Sequence, residues 1–226
     1  MFEIKGQVST ALCYAETIEE EAVMQIQKMC DQEFTRGSRI RIMPDVHFGK
    51  GCTIGTTMTV TDKAVPNVVG VDIGCGMYTV CLGKEEPDME RLDAAAHYIP
   101  SGRDVRKGAV SARKGERLLI PINMRDGSIL AVGKGNTDWN DSAPHGAGRV
   151  MSRFAAKSTL SMEEYRRSMD GVYTTSVNEH TLDEAPMVYK SLKEIQGIVR
   201  ETVDIMDVMK PVYNFKYHGW QGEEQA

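Results

Sequence analysis

Apolar residues recur at helical spacing in several stretches of the chain, and each stretch follows a polar start signal. Capping-box spacings, in which Ser or Thr is followed three residues later by Glu, precede three of these stretches. Helices are therefore predicted over 18–31 after Thr17, 88–97 after Pro87, 162–169 after Ser161 and 191–209 after Ser191. Pro211 ends the last of them.

Elsewhere the apolar runs are short, rich in β-branched residues and bounded by Gly and Pro, which is typical of strands. Such runs predict strands over 40–42, 56–61, 68–71 and 78–82, and a hairpin whose strands cover 118–120 and 129–132. Turns are predicted over 100–102 and 125–127, and the Gly-rich segment 133–148 has the low periodicity of a functional loop. The mixture of strand-rich and helix-rich stretches predicts an α+β fold.

The composition fits a globular protein: 226 residues, 41% hydrophobic and 26% charged. No apolar run is long enough for a membrane span, and the first residues lack the pattern of a secretory signal. Five cysteines form no disulfide pattern, so we expect a reducing, cytoplasmic setting with most of the cysteines in the core.

The net charge of −5 gives no overall attraction to a polyanion such as RNA. Basic residues cluster locally between Arg103 and Arg117. This cluster is interpreted either as a local nucleic-acid contact or as a solvated surface loop, and the sequence leaves both open.

Three segments carry residues suited to chemistry. Asp72 and Cys75 lie three residues apart in a Gly-rich turn, where a carboxylate and a thiolate suit a transition metal, although a structural turn with a half-buried Cys explains the same pattern. Segment 44–51 combines Asp, His and Lys with two glycines that allow close backbone approach to a ligand. A plain loop is an equally good interpretation of that segment.

The third segment, 143–149, contains His145 between Pro and a run of small residues, followed by Arg149. A neutral imidazole is a competent nucleophile toward phosphorus, and Arg149 can neutralise phosphate oxygens. A helix starting near Val150 would favour an anion at its N-terminus. The alternative is a structural His in a Gly-rich turn.

Four segments in the same chain order resemble the RtcB family of RNA-splicing ligases. They are MPDVH at 43–47, GVDIGCG at 70–76, RKGA at 106–109 and SAPHGAGRVMSR at 142–153. The resemblance covers nearly the whole chain up to Lys216.

The resemblance implies a ligase that joins RNA 3′-phosphate or 2′,3′-cyclic phosphate ends to 5′-hydroxyl ends, with GTP and manganese (Mn2+) as cofactors. It implies that His145 is guanylylated first, that the guanylyl group passes to the RNA 3′-phosphate, and that the 5′-hydroxyl then displaces GMP. It also implies that Asp72 and Cys75 bind manganese.

The same resemblance implies a guanine-nucleotide pocket. Its members would be the 121–124 segment, a serine four residues later, the small residues beside the nucleophile, a tyrosine near the base and a C-terminal lysine. In this chain they are Pro121, Ile122, Asn123, Met124, Ser128, Gly146, Ala147, Gly148, Tyr189 and Lys216. The family usually has Pro-Gly-Ser-Met at 121–124, so two of those side chains differ here.

One departure from the family pattern is large. The chain is interpreted as a single domain, 1–226, with an internal deletion near 105–106 that removes three histidines which complete the manganese site in the family. A carboxylate and a thiolate alone bind manganese weakly, and the lost block would expose apolar surface, which favours a homo-oligomer. The alternative function is therefore a catalytically impaired remnant that binds guanine nucleotide or RNA ends, or a non-catalytic partner subunit.

Overall fold

The computed structural model of the chain describes residues 1–61, 65, 68, 77–81, 90–94, 104–211, 213–214 and 216. Strands and short helices are mixed along these residues, so the predicted α+β class is confirmed. The strands are β1 Phe2–Lys5, β2 Thr10–Cys13, β3 Ile40–His47, β4 Ile54–Thr59, β5 Met77–Cys81, β6 Glu90–Ala94, β7 Asp104–Lys107, β8 Ala109–Ser111, β9 Arg117–Asn123, β10 Gly127–Gly133, β11 Ser142–Pro144, β12 Tyr173–Thr174, β13 Val203–Met209 and β14 Tyr213–Asn214. The α-helices are α1 Glu20–Cys30, α2 Arg153–Thr159, α3 Met162–Ser168 and α4 Leu192–Val199, and 3₁₀ turns cover Glu33–Thr35, Thr137–Trp139, Glu179–Glu184 and Pro186–Val188.

The largest sheet has the strand order β1-β2-β3-β4-β7. The β2–β3 pair is parallel and the other pairs are antiparallel. The predicted first helix is confirmed as α1, whose Ala22, Ile26 and Cys30 are buried in the core beside this sheet. Cys13, Cys30 and Cys52 are free and buried, as predicted for core cysteines.

Strand β3 loses its regular pairing with β4 between Ile42 and His47. Pro44 lies in this stretch and has no N–H to donate to a neighbouring strand. Irregularities of this kind re-aim side chains and are frequent next to active sites. Here the interruption covers Asp45, whose carboxylate is completely buried.

The predicted hairpin is confirmed as β9 and β10, which form a second antiparallel sheet with β13. Ile120, Ile129 and Val203 are fully buried between this sheet and α4. The segment 133–148 is not entirely loop, because it contains a 3₁₀ turn and β11.

The prediction of one helix over 191–209 is wrong, since α4 ends at Val199 and residues 203–209 form β13. The apolar residues of 203–208 fit both helical and alternating periods. Residues 203–209 adopt the extended form because they pair with the edge of β10. The β-branched residues Val203, Ile205 and Val208 also favour a strand.

The prediction of a helix over 88–97 is also wrong, because residues 90–94 form β6 and pair antiparallel with β5. Cross-strand hydrogen bonds override the helical preference of this short segment. The predicted strand over 78–82 is confirmed as β5, apart from its last residue. Of the predicted strand over 68–71, the structure describes Val68 alone, and the remaining residues lie outside the described part of the chain. The turn predicted over 100–102 also lies outside it.

Helix starts follow the predicted capping boxes in part. The box of Ser161 and Glu164 is complete, and Ser191 Oγ accepts the Glu194 N–H at 3.2 Å. The box at Thr17 is wrong, because α1 follows Glu19 without a side-chain cap. The Thr17 hydroxyl instead donates to the Glu194 carboxylate at 2.8 Å, 177 residues away along the chain.

A search of the described residues finds no helix that is long and apolar enough to cross a membrane.

Candidate active site

The predicted nucleophile, His145, lies against the buried carboxylate of Asp45. Its Nδ1 is 2.7 Å from Asp45 Oδ2. The Asp45 side chain is 0% exposed, whereas the imidazole is 29% exposed. An imidazole held by a carboxylate on Nδ1 presents Nε2 to a reactant, which is the arrangement of a positioned histidine nucleophile or base.

Strand pairing and glycines bring these two side chains together. Pro144 of β11 pairs with Ala109 of β8, so the next residue, His145, lies beside Gly108. Gly108 has φ +67, and a side chain there would collide with Ile54 and Gly55. On the other side of the loop, Gly148 has φ +74, and a Cβ there would lie 2.4 Å from the Asp45 carbonyl oxygen. The glycine at 148 is therefore needed for the loop to approach Asp45.

The surroundings of His145 stabilise its protonated form. Burial lowers the pKa of His145, but the hydrogen bond to Asp45, the charge of Asp45 and a hydrogen bond to the Gly108 backbone outweigh burial and raise the pKa above its ordinary 6.5. These effects favour the protonated imidazole more than in a free histidine, and the ring acts as a nucleophile only in its neutral form.

A second histidine, His47, lies on the same strand as Asp45. Its Nδ1 is 2.8 Å from the Asp45 carbonyl oxygen, and since a carbonyl only accepts, His47 is the donor. Burial lowers the pKa of His47, and the charge of protonated His145 lowers it further, against opposing effects of Asp45 and Glu19. The pKa of His47 is thus shifted in the opposite direction to that of His145.

Arg149 connects the loop 145–149, here called the nucleophile loop after the role predicted for His145, to a cluster of charged side chains around Glu184. Its guanidinium donates to Glu184 Oε1 at 2.9 Å and to the Tyr189 hydroxyl at 3.2 Å, and it lies 5.0 Å from the centre of the Tyr189 ring. Arg153 reaches the same carboxylate at 2.6 Å. We call the residues Arg149, Arg153, Glu184, Tyr189 and Lys216 the Glu184 cluster.

Tyr189 and Lys216, the two residues predicted near the base, meet in this cluster. The Tyr189 hydroxyl donates to Glu184 Oε2 at 2.6 Å, and Lys216 Nζ lies 2.9 Å from the same oxygen. Burial raises the pKa of Glu184, but these two donors and the charges of Lys216 and Arg149 lower it to about 2. Burial and the bond to Glu184 raise the pKa of Tyr189, so its hydroxyl keeps its proton.

The predicted nucleotide-contacting segment 121–124 forms the end of β9. Its side chains serve the fold: Ile122 is in the core, Met124 packs on the Tyr165 hydroxyl, and Asn123 caps the following turn through its amide. The Pro121 carbonyl oxygen lies 3.4 Å from the position of a Cβ on Gly146, which brings this strand beside the nucleophile loop. Ser128 pairs with Pro121 across the hairpin and is half-buried.

Ala147 is buried among the side chains that cover β9 and β10, so it anchors the loop after His145. The helix predicted to start near Val150 begins later, at Arg153, with Ser152 as its cap. The N-terminus of that helix is thus eight residues beyond His145 along the chain.

Asp72 and Cys75, the predicted manganese ligands, lie outside the described residues. Among the residues that the structure does describe, no group of three His, Cys, Asp or Glu side chains is arranged to hold a metal ion. Manganese therefore remains a prediction from the sequence alone, and the described side chains supply no complete site for it.

The basic cluster of 103–117 is only partly a surface feature. The Arg106 guanidinium donates to Ser142 Oγ at 2.7 Å, and the buried Lys107 ammonium donates to the Lys50 carbonyl at 2.5 Å. These two cations brace β7 against the segments before His145 and after His47. The solvated-loop interpretation is therefore wrong for these two side chains, and a contact of the cluster with nucleic acid stays a prediction.

Sequence reasoning did not assign a role to Asp45 or Glu184. Asp45 lies within the segment that was singled out for its Asp, His and Lys, which was the available signal. Glu184 has no comparable signal, because its partners come from three separate segments.

A histidine held by a buried carboxylate, beside a cluster of arginine and lysine side chains around Glu184, is an arrangement suited to chemistry on phosphates. The family model of the tRNA-splicing ligase RtcB matches residues 25–105 and 104–217. The chain belongs to this family, and the resemblance read from its motifs is confirmed.

Curated relatives carry the same family name. The chain is 34% identical to the RNA-splicing ligase RtcB of Escherichia coli (strain K12) over 131 residues, which are 55% of this chain and 32% of that protein. It is 36% identical to the tRNA-splicing ligase RtcB of Aeropyrum pernix over 115 residues, 49% of this chain and 23% of the relative. The matched regions thus cover a third or less of these relatives.

Proposed function

We propose that this chain is an RNA ligase that joins RNA 3′-phosphate or 2′,3′-cyclic phosphate ends to 5′-hydroxyl ends, with GTP as co-substrate. Family membership supports the RNA-ligase class. The observation that carries the proposal is the contact of His145 Nδ1 with the buried Asp45 carboxylate within the matched motif.

The first step is guanylylation of His145. Nε2 of the neutral imidazole attacks the α-phosphorus of GTP, an N–P bond forms, the bond from the α-phosphorus to the bridging oxygen breaks, and pyrophosphate leaves. Nδ1 keeps its proton and donates it in the hydrogen bond to Asp45. The positive charge that develops on the ring therefore faces a carboxylate. This pairing stabilises the product of the step in the way that a buried carboxylate stabilises an imidazolium.

The guanylyl group then passes to the RNA 3′-phosphate, which frees His145 and activates the end. The RNA 5′-hydroxyl attacks that phosphorus, a phosphodiester forms, and GMP leaves. Arg149, four residues after His145 and 12% exposed in its side chain, would compensate phosphate charge by exchanging its present partner, the Glu184 carboxylate, for a phosphate.

Tyr189 and Lys216 are the proposed contacts of the guanine base. Tyr189 is half-buried with the Arg149 guanidinium over its ring, and the Lys216 side chain is 42% exposed even while paired with Glu184. A flexible ammonium donates readily to the oxygen on the edge of guanine, where adenine carries an amino group. This difference would favour GTP over ATP.

Manganese is proposed to bind Asp72 and Cys75, where it would neutralise charge on the phosphates. The described residues contain no group of three potential ligands. The internal deletion near 105–106, which was interpreted from the sequence, favours a second candidate function, in which the chain binds guanine nucleotide or RNA ends without joining them.

A ligation assay separates the two candidates. An RNA fragment with a 3′-phosphate and one with a 5′-hydroxyl are incubated with the protein, manganese and either GTP or ATP. We expect a joined product with GTP from the wild-type chain, none from His145→Ala, and wild-type yield from the control His180→Ala, which alters an exposed histidine. If folded wild-type protein binds GTP but gives no joined product, the second candidate holds.

A further inference from the structure

Lys190 is a buried cation that the proposed reaction does not use. Lys190 comes directly after Tyr189 in the chain and is 2% exposed, so its side chain is buried. The ammonium donates to the carbonyl oxygens of Thr17 at 2.8 Å and Pro44 at 2.5 Å. A buried ammonium is costly unless it is paired or hydrogen-bonded, so these contacts define its position closely.

The same residue also contacts the nucleophile loop. The Lys190 backbone N–H donates to the Gly148 carbonyl at 3.1 Å, and the Val150 N–H donates to the Val188 carbonyl at 2.8 Å. Segment 148–150 is thus laid antiparallel to 188–190, with Arg149 opposite Tyr189. Through its main chain and its side chain, Lys190 is bonded both to the loop after His145 and to the residue before Asp45.

The charge of Lys190 matters as well as its hydrogen bonds. Burial lowers the pKa of Lys190, and the negative charge of Asp45 opposes this effect most strongly, followed by those of Glu194 and Glu19. Asp45 is fully buried, and its Oδ1 has no hydrogen-bond partner among the described residues. A buried carboxylate of this kind depends on nearby positive charge.

We propose that Lys190 is a positioning residue that fixes the Pro44–Asp45 backbone relative to Gly148 and offsets the charge of Asp45, so that Asp45 holds His145 Nδ1. The effect of Lys190 on the reaction rests on the proposed role of His145 as the nucleophile. The geometric claim concerns the His145–Asp45 contact itself and is measured without any reaction.

The first test compares Lys190→Met, which removes the charge at similar length, with Lys193→Met on the exposed side of α4 as a matched control. NMR titration of the His145 ring, assigned by its loss in His145→Ala, gives the pKa. Because contact with Asp45 raises the pKa of His145, we expect it to fall toward 6.5 in Lys190→Met and to stay unchanged in Lys193→Met. An unchanged pKa in folded Lys190→Met, or one raised by loss of a nearby positive charge while the Asp45 contact persists, would overturn the proposal.

A reciprocal measurement covers the case in which Lys190→Met does not fold. In Asp45→Asn protein the carboxylate charge is gone, so the pKa of Lys190, followed through the NMR signal of its Cε, should drop below the wild-type value. An unchanged pKa of Lys190 would show that the two charges do not interact and would refute the electrostatic part directly.

The reaction adds a third readout. A displacement of about 1 Å in a reacting group costs on the order of a hundredfold in rate, so Lys190→Met should label with GTP that much more slowly than Lys193→Met. If wild-type protein takes no label, the proposed function fails, while the two titrations still decide the role of Lys190.

Discussion

At the scale of single residues, the site depends on a carboxylate with no exposure to water. Asp45 Oδ2 meets His145 Nδ1 at 2.7 Å, while Oδ1 faces the backbone near Gly55. A charge buried in this way is expensive, so its retention beside a histidine points to use in chemistry more than in stability. Asp45 therefore orients the His145 ring and raises its pKa.

Asp45→Asn tests this role through the pH dependence of labelling by GTP. The pKa of His145 is raised in the folded protein, so the reactive neutral ring is scarce at low pH and the wild-type rate should rise as pH increases through that pKa. The amide removes the charge that raises the pKa, so the midpoint of the profile should move to lower pH. The plateau rate should fall on the order of a hundredfold or more, because an amide can hold the wrong tautomer.

The comparison is made on protein whose fold is verified by circular dichroism. A midpoint that stays at the wild-type pH in Asp45→Asn would mean that the pKa of His145 is set elsewhere.

At the scale of elements, local signals predicted those structures whose partners are near in sequence. The hairpin of β9 and β10 and the helix of Ser161 follow from turn and cap residues alone. The segments 90–94 and 203–209 became strands because β5 and β10 offered edges to pair with, which no local pattern reveals. Thr17 does not cap α1 as predicted, because its hydroxyl bonds to the Glu194 carboxylate of α4, a helix distant in sequence.

The two hydroxyls around Glu194 give a matched pair of substitutions. Ser191 Oγ caps α4 by accepting the Glu194 N–H, whereas Thr17 donates to the exposed Glu194 carboxylate. Loss of a cap typically costs about 1 kcal/mol, so Ser191→Ala should lower the free energy of unfolding by that amount in urea titrations. Thr17→Ala should change it by much less, since an exposed hydrogen bond exchanges readily with water. Equal losses in the two variants would contradict the assignment of Ser191 as the cap.

At the scale of the whole molecule, the site joins residues that are far apart in the chain. Asp45 and His145 are 100 residues apart, and Lys190 contacts both Thr17 and Pro44. The sequence motifs predicted roles for His145, Tyr189 and Lys216, and the structure brings the last two to one carboxylate. The sequence did not predict that carboxylate, nor the clamp by Lys190, because both arise only when distant segments pack together.

The family match has two segments that meet at 104–105, and the matched regions cover at most a third of the relatives described above. His145, the Asp45 carboxylate and the Glu184 cluster all fall within the described part of the chain. Guanylylation of His145 is thus the step of the proposed reaction that the described residues support most directly.

The most direct test of the account is to locate the guanylyl group on the protein. Wild-type chain is incubated with GTP and manganese, digested at neutral or basic pH, and its peptides are analysed by mass spectrometry. We predict the mass of a GMP group on His145, lost on mild acid treatment and absent from His145→Ala, because an N–P bond to imidazole is formed there and nowhere else. Folded wild-type protein whose His145 peptide carries no such group, or carries it on another residue, would contradict the account.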